Sequence, residues 1–218
     1  MTAITHPDSI PIVHSEPTVS VRRRTIDTVL TASGAVFALV LFVAGGLLLW
    51  GSNFAEDYVY DELSSQNIVF PEAAALEEQG RGDLVPYAGQ TVDTGKEAEA
   101  YASFINGHLE AVAEGQTYAD LGDPERAANT AVEEATASGA PASEVAALEE
   151  DAATITGQRN TLFKGETLRG LLLSAFAWST VGRIAGIAGI LALIAGTAMV
   201  LLVVFGVRHH HKVVKADS

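Results

Sequence analysis

The sequence predicts an all-α protein in which two transmembrane helices flank a small acidic extracytoplasmic helical domain. Three observations carry that expectation. Residues 28–50 and 184–207 contain no charged side chain, and at 1.5 Å per residue each run makes about 35 Å of helix, enough to cross a hydrocarbon core of about 30 Å. Acidic residues outnumber Lys and Arg by 27 to 13, yet the mean hydropathy is +0.24. Apolar and acidic residues must therefore be segregated along the chain. The stretch between the two runs is rich in Ala and Glu and poor in β-branched runs, which favours helices.

Residues 1–27 read as a cytoplasmic tail. Pro7, Pro11 and Pro17 sit among polar residues without an apolar period, so the tail is disordered or an extended arm laid along a partner. Residues 28–50 are the first span. A cleavable signal peptide is the competing reading, but the polar lead is long and Leu49-Trp50-Gly51-Ser52-Asn53 has no small-x-small cleavage site. A retained signal anchor is expected. A buried helix of a soluble protein fits less well, because neither run keeps a polar face.

Orientation follows from the flanks. Arg22, Arg23 and Arg24 precede the first span, and Arg208, Lys212 and Lys215 follow the second. Cationic flanks stay on the cytoplasmic side, so both termini are expected there, with the chain in the plasma membrane. Residues 51–183 hold 7 basic and 23 acidic residues, a net charge of −16. The acidity belongs to the outer part.

Residues 51–170 form the expected outer domain. Asn53 to Gln66 continue the first span outward, with Phe54, Tyr58 and Leu63 roughly along one side. Pro71 opens a short helix, Glu72 to Gln79, which Gly80-Arg81-Gly82 ends; residues 83–93 read as a loop. Thr94-Gly95-Lys96-Glu97 has the T-x-x-E capping-box pattern, followed by a stripe of Ala98, Tyr101, Ile105, Leu109 and Val112 that Gly115 stops. Asp123 as N-cap and Pro124 at the first helical position start another helix, which ends around Gly139-Ala140-Pro141. The last begins near Ser143 with Val145, Leu148, Ala152 and Ile155 as its stripe. Residues 171–183 read as an interfacial approach helix leading into the second span, 184–207, before a cytoplasmic tail, 208–218. Trp50 and Trp178 suit the headgroup level. Arg183 either snorkels to the membrane edge or pairs with a partner's carboxylate inside it.

Several function classes drop out. With no cysteine, there is no disulfide framework, thiolate zinc site or iron–sulfur cluster, and an acidic chain does not suit nucleic acid. The six histidines are His6, His14, His108 and His209-His210-His211; none lies in a span, so no axial imidazole pair can hold a membrane haem. The terminal triplet reads as the end of a polar tail. No G-x-S-x-G, H-E-x-x-H, P-loop or Rossmann pattern occurs, and the acidic pairs lack calcium-loop spacing. The expectation is a non-enzymatic protein without cofactor or metal. The spans carry a different signal: Gly34, Ala38 and Gly45 line up in the first, and Gly182, Gly186, Gly189 and Gly196 in the second. Small residues let membrane helices approach closely, against each other or against another protein.

The order of features also carries a resemblance. The arginine triplet leads into a span ending Gly45-Gly46-Leu47-Leu48-Leu49-Trp50. Pro86-Tyr87-Ala88-Gly89-Gln90, Tyr101-Ala102-Ser103-Phe104-Ile105 with His108-Leu109, and Gly115-Gln116-Thr117-Tyr118-Ala119 follow, before Leu168-Arg169-Gly170-Leu171-Leu172-Leu173. From about Arg22 to Val207 this resembles small two-span actinobacterial membrane proteins. One such type is the prokaryotic respiratory supercomplex association factor, which accompanies cytochrome bcc and haem-copper oxidase in electron transport. The resemblance implies an accessory subunit without a cofactor of its own, in contact with membrane lipid and larger membrane subunits, and transfers no functional residue. Some relatives carry a ring-opening dioxygenase label, for which no iron-ligand constellation exists here. The alternative is an independent two-span extracytoplasmic sensor or binding protein, although the 11 residues after Val207 are too few for an output domain.

Overall fold

The computed structural model describes residues 23–216, with side chains described for residues 25–208. The arm of residues 1–20 and Arg22 lie outside them. Among the described residues all regular structure is helical: α1 (Arg23–Ser64), α2 (Ala73–Glu78), a 3-10 turn (Gly82–Tyr87), α3 (Gly95–Val112), α4 (Gly122–Ala137) and α5 (Ala142–Ala216). Two of them, α1 and α5, contain long apolar stretches. The chain divides into two compact units, one of residues up to Phe42 and from Ile194 onward, the other Val43–Leu193.

In the first unit the two chain segments run antiparallel. Gly34 faces Val203 and Met199, Gly196 faces Leu41 and Phe42, and Gly206 faces Thr31. Ala38 is buried there.

The second unit holds every loop and three small cores. Val59 and Leu63 of α1 meet Phe70 and Val92 of the connecting segments, Ala98 and Ala102 of α3, and Leu172 of α5. Phe70 stacks on Tyr87 and meets the edge of Tyr101. Leu76, Leu84 and Phe104 form a second core, and Leu109, Ala113, Leu121 and Leu162 a third. Helices α3 and α5 approach closely at two glycines: Gly165 lies under Leu109, and Gly95 under Ser179 and Phe176. A side chain at either would collide with its neighbour.

Local chemistry explains most boundaries. Helix α2 ends at a glycine because Gly80 adopts φ +71°, a left-handed conformation that costs glycine nothing, while Arg81 N–H returns to Leu76 O at 2.8 Å. Residues 83–93, expected as loop, are more ordered. The 3-10 turn occupies their start, and Val69 and Thr91 form an isolated antiparallel bridge. Arg81 pins this region by donating to Ser103 O at 2.7 Å and to both oxygens of Asp83. The Thr94 box forms in full: Thr94 Oγ1 accepts from Glu97 N–H, and Glu97 Oε2 accepts from Thr94 N–H at 3.0 Å.

The start of α4 needs a correction. Asp123 is not its N-cap: the helix opens at Gly122, and Asp123 lies in the first turn, bonded to Arg126. The flanking residue is Leu121, which makes no side-chain cap bond. In the turn before it, Thr117 N–H and Oγ–H donate to Asp120 Oδ2, and Asp120 N–H donates to Thr117 Oγ1. That turn runs straight into α4, with Leu121 N–H bonded to Thr117 O and Gly122 N–H to Ala119 O, so first-turn donors are met by the preceding backbone and not by Asp123.

Helix α4 buries no residue, as its alanine-rich inner side implies. An ion pair between Arg159 and Glu125 holds it to α5, with the guanidinium 4.1 Å from the Tyr118 ring centroid. The approach segment 171–183 is not a separate element, since α5 runs through it without a break. Buried Leu172 and half-buried Ala175, Phe176 and Ser179 keep helical spacing there, and no proline interrupts.

Candidate functional site: a small-residue seam and its outer polar end

The seam follows from residue size at one spacing. In α1, Thr31, Gly34, Ala38, Leu41, Gly45, Leu48, Ser52, Ala55 and Val59 recur at alternating steps of three and four, and all are buried or half-buried. A 3.5-residue period is the seam of a left-handed helix pair. In α5 the matching positions are Gly182, Gly186, Gly189, Leu193 and Gly196.

Within the second unit these residues pack directly. A Cβ at Gly45 would stand 2.8 Å from Leu193 Cδ2 and 3.0 Å from Gly189 O. At Gly189 it would stand 3.0 Å from both Gly45 O and Leu49 Cγ, at Gly186 2.6 Å from Ser52 Oγ, and at Gly182 2.9 Å from Ala55 Cβ. The two backbones touch. All seven small residues singled out in the sequence therefore sit at helix contacts inside the chain. The residues facing them include Leu48, Ser52 and Ala55, which the three-four spacing from Thr31 to Val59 identifies, and Leu193, which continues the spacing of Gly182, Gly186 and Gly189.

The end of the seam next to α3 is polar. Ser179 Oγ–H donates to the Glu56 carboxylate, 3.1 and 3.2 Å from its two oxygens. The N-terminus of α3 rests on the same stretch of α5 through Gly95. Its cap carries two carboxyls. Burial pushes Asp93 above the ordinary aspartate range, and the adjacent Glu97 adds to the effect. Burial acts to raise Glu97 as well, but the N–H groups of Asp93 and Thr94 together with the Thr94 hydroxyl outweigh it and hold Glu97 below its usual value.

The interface candidates lie outside the seam. Trp50 is 68 % exposed and Trp178 57 % exposed. Trp50 stacks on Phe54 and Phe54 on Tyr58, an exposed ladder along α1. Arg183 is exposed and pairs with no carboxylate among the described residues. Arg23 and Arg24 open α1; their side chains lie outside the described set. Among the described residues no three His, Asp or Glu converge as a metal site, and His108 packs its ring 4.7 Å from Phe104.

No protein-family model, curated protein or solved structure matches this chain.

Proposed function

We propose that the chain is a two-span plasma-membrane protein with both termini cytoplasmic and an acidic domain outside. In this reading it is a non-catalytic accessory subunit that associates with larger subunits of a cytochrome bcc–oxidase respiratory supercomplex. One observation carries the membrane part. The apolar windows of α1 and α5 are only 11 % and 6 % buried within the protein, while their small residues are consumed in contacts with each other. A core helix of a soluble protein would show the reverse, apolar surface covered and polar surface open. Two helices held by glycine contacts with Val, Leu, Ile and Phe facing outward fit a lipid solvent, where packing rather than hydrophobicity drives association. The respiratory part rests on the resemblance of the motifs between Arg22 and Val207.

The test is purification of a tagged full-length copy from its native membranes in mild detergent, read by haem spectrum and subunit identity. Co-purifying haem-bearing bcc and oxidase subunits are the expected result. A haem-free preparation, with respiration unchanged on deletion, would sink the respiratory role. The unbroken α5, continuing from the outer domain to Ala216, favours the sensor as second reading. In that case residues 208–218 should change protease accessibility when an outer ligand is added.

A further inference from the structure

We propose that the outward face of α5 along Phe163, Leu171 and Trp178 docks the outer part of a helix from a different membrane protein. That helix is apolar where it touches α5 and carries a carboxylate opposite Lys164. The inference rests on the membrane reading above but not on the respiratory one.

Lys164, Leu171 and Trp178 recur every seventh residue, so they form one line up the helix, in the manner of a packing seam. Leu171 is 65 % exposed, Phe163 and Trp178 57 % each. Beside them Gly170, Ser174 and Ala177 are small and open, and nothing lies within 4 Å of a Cβ placed on Gly170. Large apolar side chains alternating with small ones are what a second helix needs in order to seat.

Lipid reaches only the Trp178 end of this face. The uncharged runs end at Trp50 and begin at Ile184, and these levels match, since Gly182 packs on Ser52 and Ala55. Beyond the hydrocarbon, headgroups add only about 5–8 Å per leaflet. Trp178 falls within that layer, but Leu171 lies about 18 Å and Phe163 about 30 Å beyond Arg183 along the helix. Tyr118 of the same chain meets one side of Phe163, with ring centroids 5.9 Å apart; Leu171 and the open side of Phe163 face water unless another protein covers them.

Charge decides which protein. A second copy in the same membrane would bring together two outer segments of net −16 each and set Lys164 against Lys164, which like-charge repulsion opposes. The docking segment itself differs from the rest of the outer domain. Residues 160–183 hold Lys164, Arg169 and Arg183 against the single acid Glu166. Glu166 already pairs with Arg169, and no carboxylate in the described chain pairs with Lys164. The complement of a free lysine beside an apolar line is a carboxylate on an apolar helix.

The experiment places a photo-crosslinking amino acid at Leu171 of the full-length protein in its native membranes, with Ala146 at the outer tip of α5 as control. Expected is an adduct from position 171 alone, to an integral membrane protein other than this chain. The joined peptide should lie outside the bilayer and contain Asp or Glu, and its yield should fall roughly two- to fivefold in Lys164→Glu, as for one exposed ion pair. An adduct of twice the chain's mass, an adduct to lipid, no adduct, or a yield indifferent to Lys164→Glu would overturn the proposal. A partner without haem would remove the respiratory reading and leave this one standing. Release of the chain by alkaline extraction would remove both.

Discussion

Adding atoms to Gly189 tests the seam where backbone meets backbone. A Cβ there stands 3.0 Å from Gly45 O, 3.0 Å from Leu49 Cγ and 3.2 Å from Leu48 Cβ. Relaxed contacts between carbon atoms need about 3.5–4.0 Å, so the two helices must part by about 0.5 Å, which forfeits about a quarter of the attraction at each contact. One of the blocking atoms is a backbone oxygen, which no rotamer change can move. For Gly189→Ala the loss is offset by helix propensity, about 0.8–1.0 kcal/mol in alanine's favour, and the net effect should stay within about 1 kcal/mol. Gly189→Leu adds three further heavy atoms where there is no room, and should cost about 1–3 kcal/mol, the usual range for overpacking. Gly46 is the matched control: nothing lies within 4 Å of its Cβ position, so Gly46→Leu should cost nothing and gain up to about 1 kcal/mol of helix propensity. The assay is thermal unfolding of each purified variant in one mild detergent, followed by circular dichroism. Equal loss in Gly46→Leu and Gly189→Leu, or none in either, would refute the seam as drawn.

Four further outcomes follow from the same geometry. The chain has no cysteine, and a Cβ at Gly196 stands 3.3 Å from Leu41 Cβ, just under the usual disulfide separation of about 3.5–4.5 Å. Leu41→Cys with Gly196→Cys should therefore close an internal disulfide on oxidation, read as a mobility shift that reductant reverses. Thr94→Ala should cost about 1 kcal/mol of unfolding free energy, which Thr94→Ser restores. Glu97, held below its ordinary pKa, contributes stability at neutral pH that disappears as pH falls below the usual glutamate value through the depressed one; Glu97→Gln should flatten that acid limb. Arg159→Ala removes both the ion pair to Glu125 and the contact with Tyr118, so limited proteolysis should cut residues 117–140 sooner, and Arg159→Lys should protect only partly because an ammonium cannot stack as a guanidinium does.

The helices and their punctuation were legible in the sequence, because apolar runs, the Thr94 box, Pro141 and the glycine stops act locally. Less legible was which of two valid local signals prevails. Asp123-Pro124 looks like a helix start, yet the Thr117–Asp120 exchange begins the turn earlier, and only the folded chain shows which one acts. The glycine stripes were visible as small faces, but their partner was not. Spacing alone does not distinguish a glycine that meets Leu193 of its own chain from one that meets another protein. Contacts such as Gly165 under Leu109 join residues far apart in sequence, and nothing local announces them.

That internal use of the glycines bears on how the protein could recognise anything. Close backbone approach is already spent between α1 and α5, since Gly34, Gly45, Gly182, Gly186, Gly189 and Gly196 all have neighbours inside the chain. In the proposed membrane setting, what the two apolar stretches offer to lipid or to a neighbouring subunit is mostly bulky and chemically uniform: Val36, Phe37, Leu39 and Val40 on α1, Ile187, Ile190, Leu191 and Ile194 on α5. Such surfaces associate without much selectivity, because lipid tails are equally good partners for them. In that setting selectivity must come from beyond the hydrocarbon, where water makes exposed apolar groups costly to leave uncovered and the sign of nearby charges sets which partner can cover them. There the chain has a sharply uneven charge pattern, with 22 acids and 4 bases in residues 51–159 but one acid and three bases in residues 160–183. A partner that buried the second region while staying clear of the first would be held in one orientation, which spans alone cannot impose.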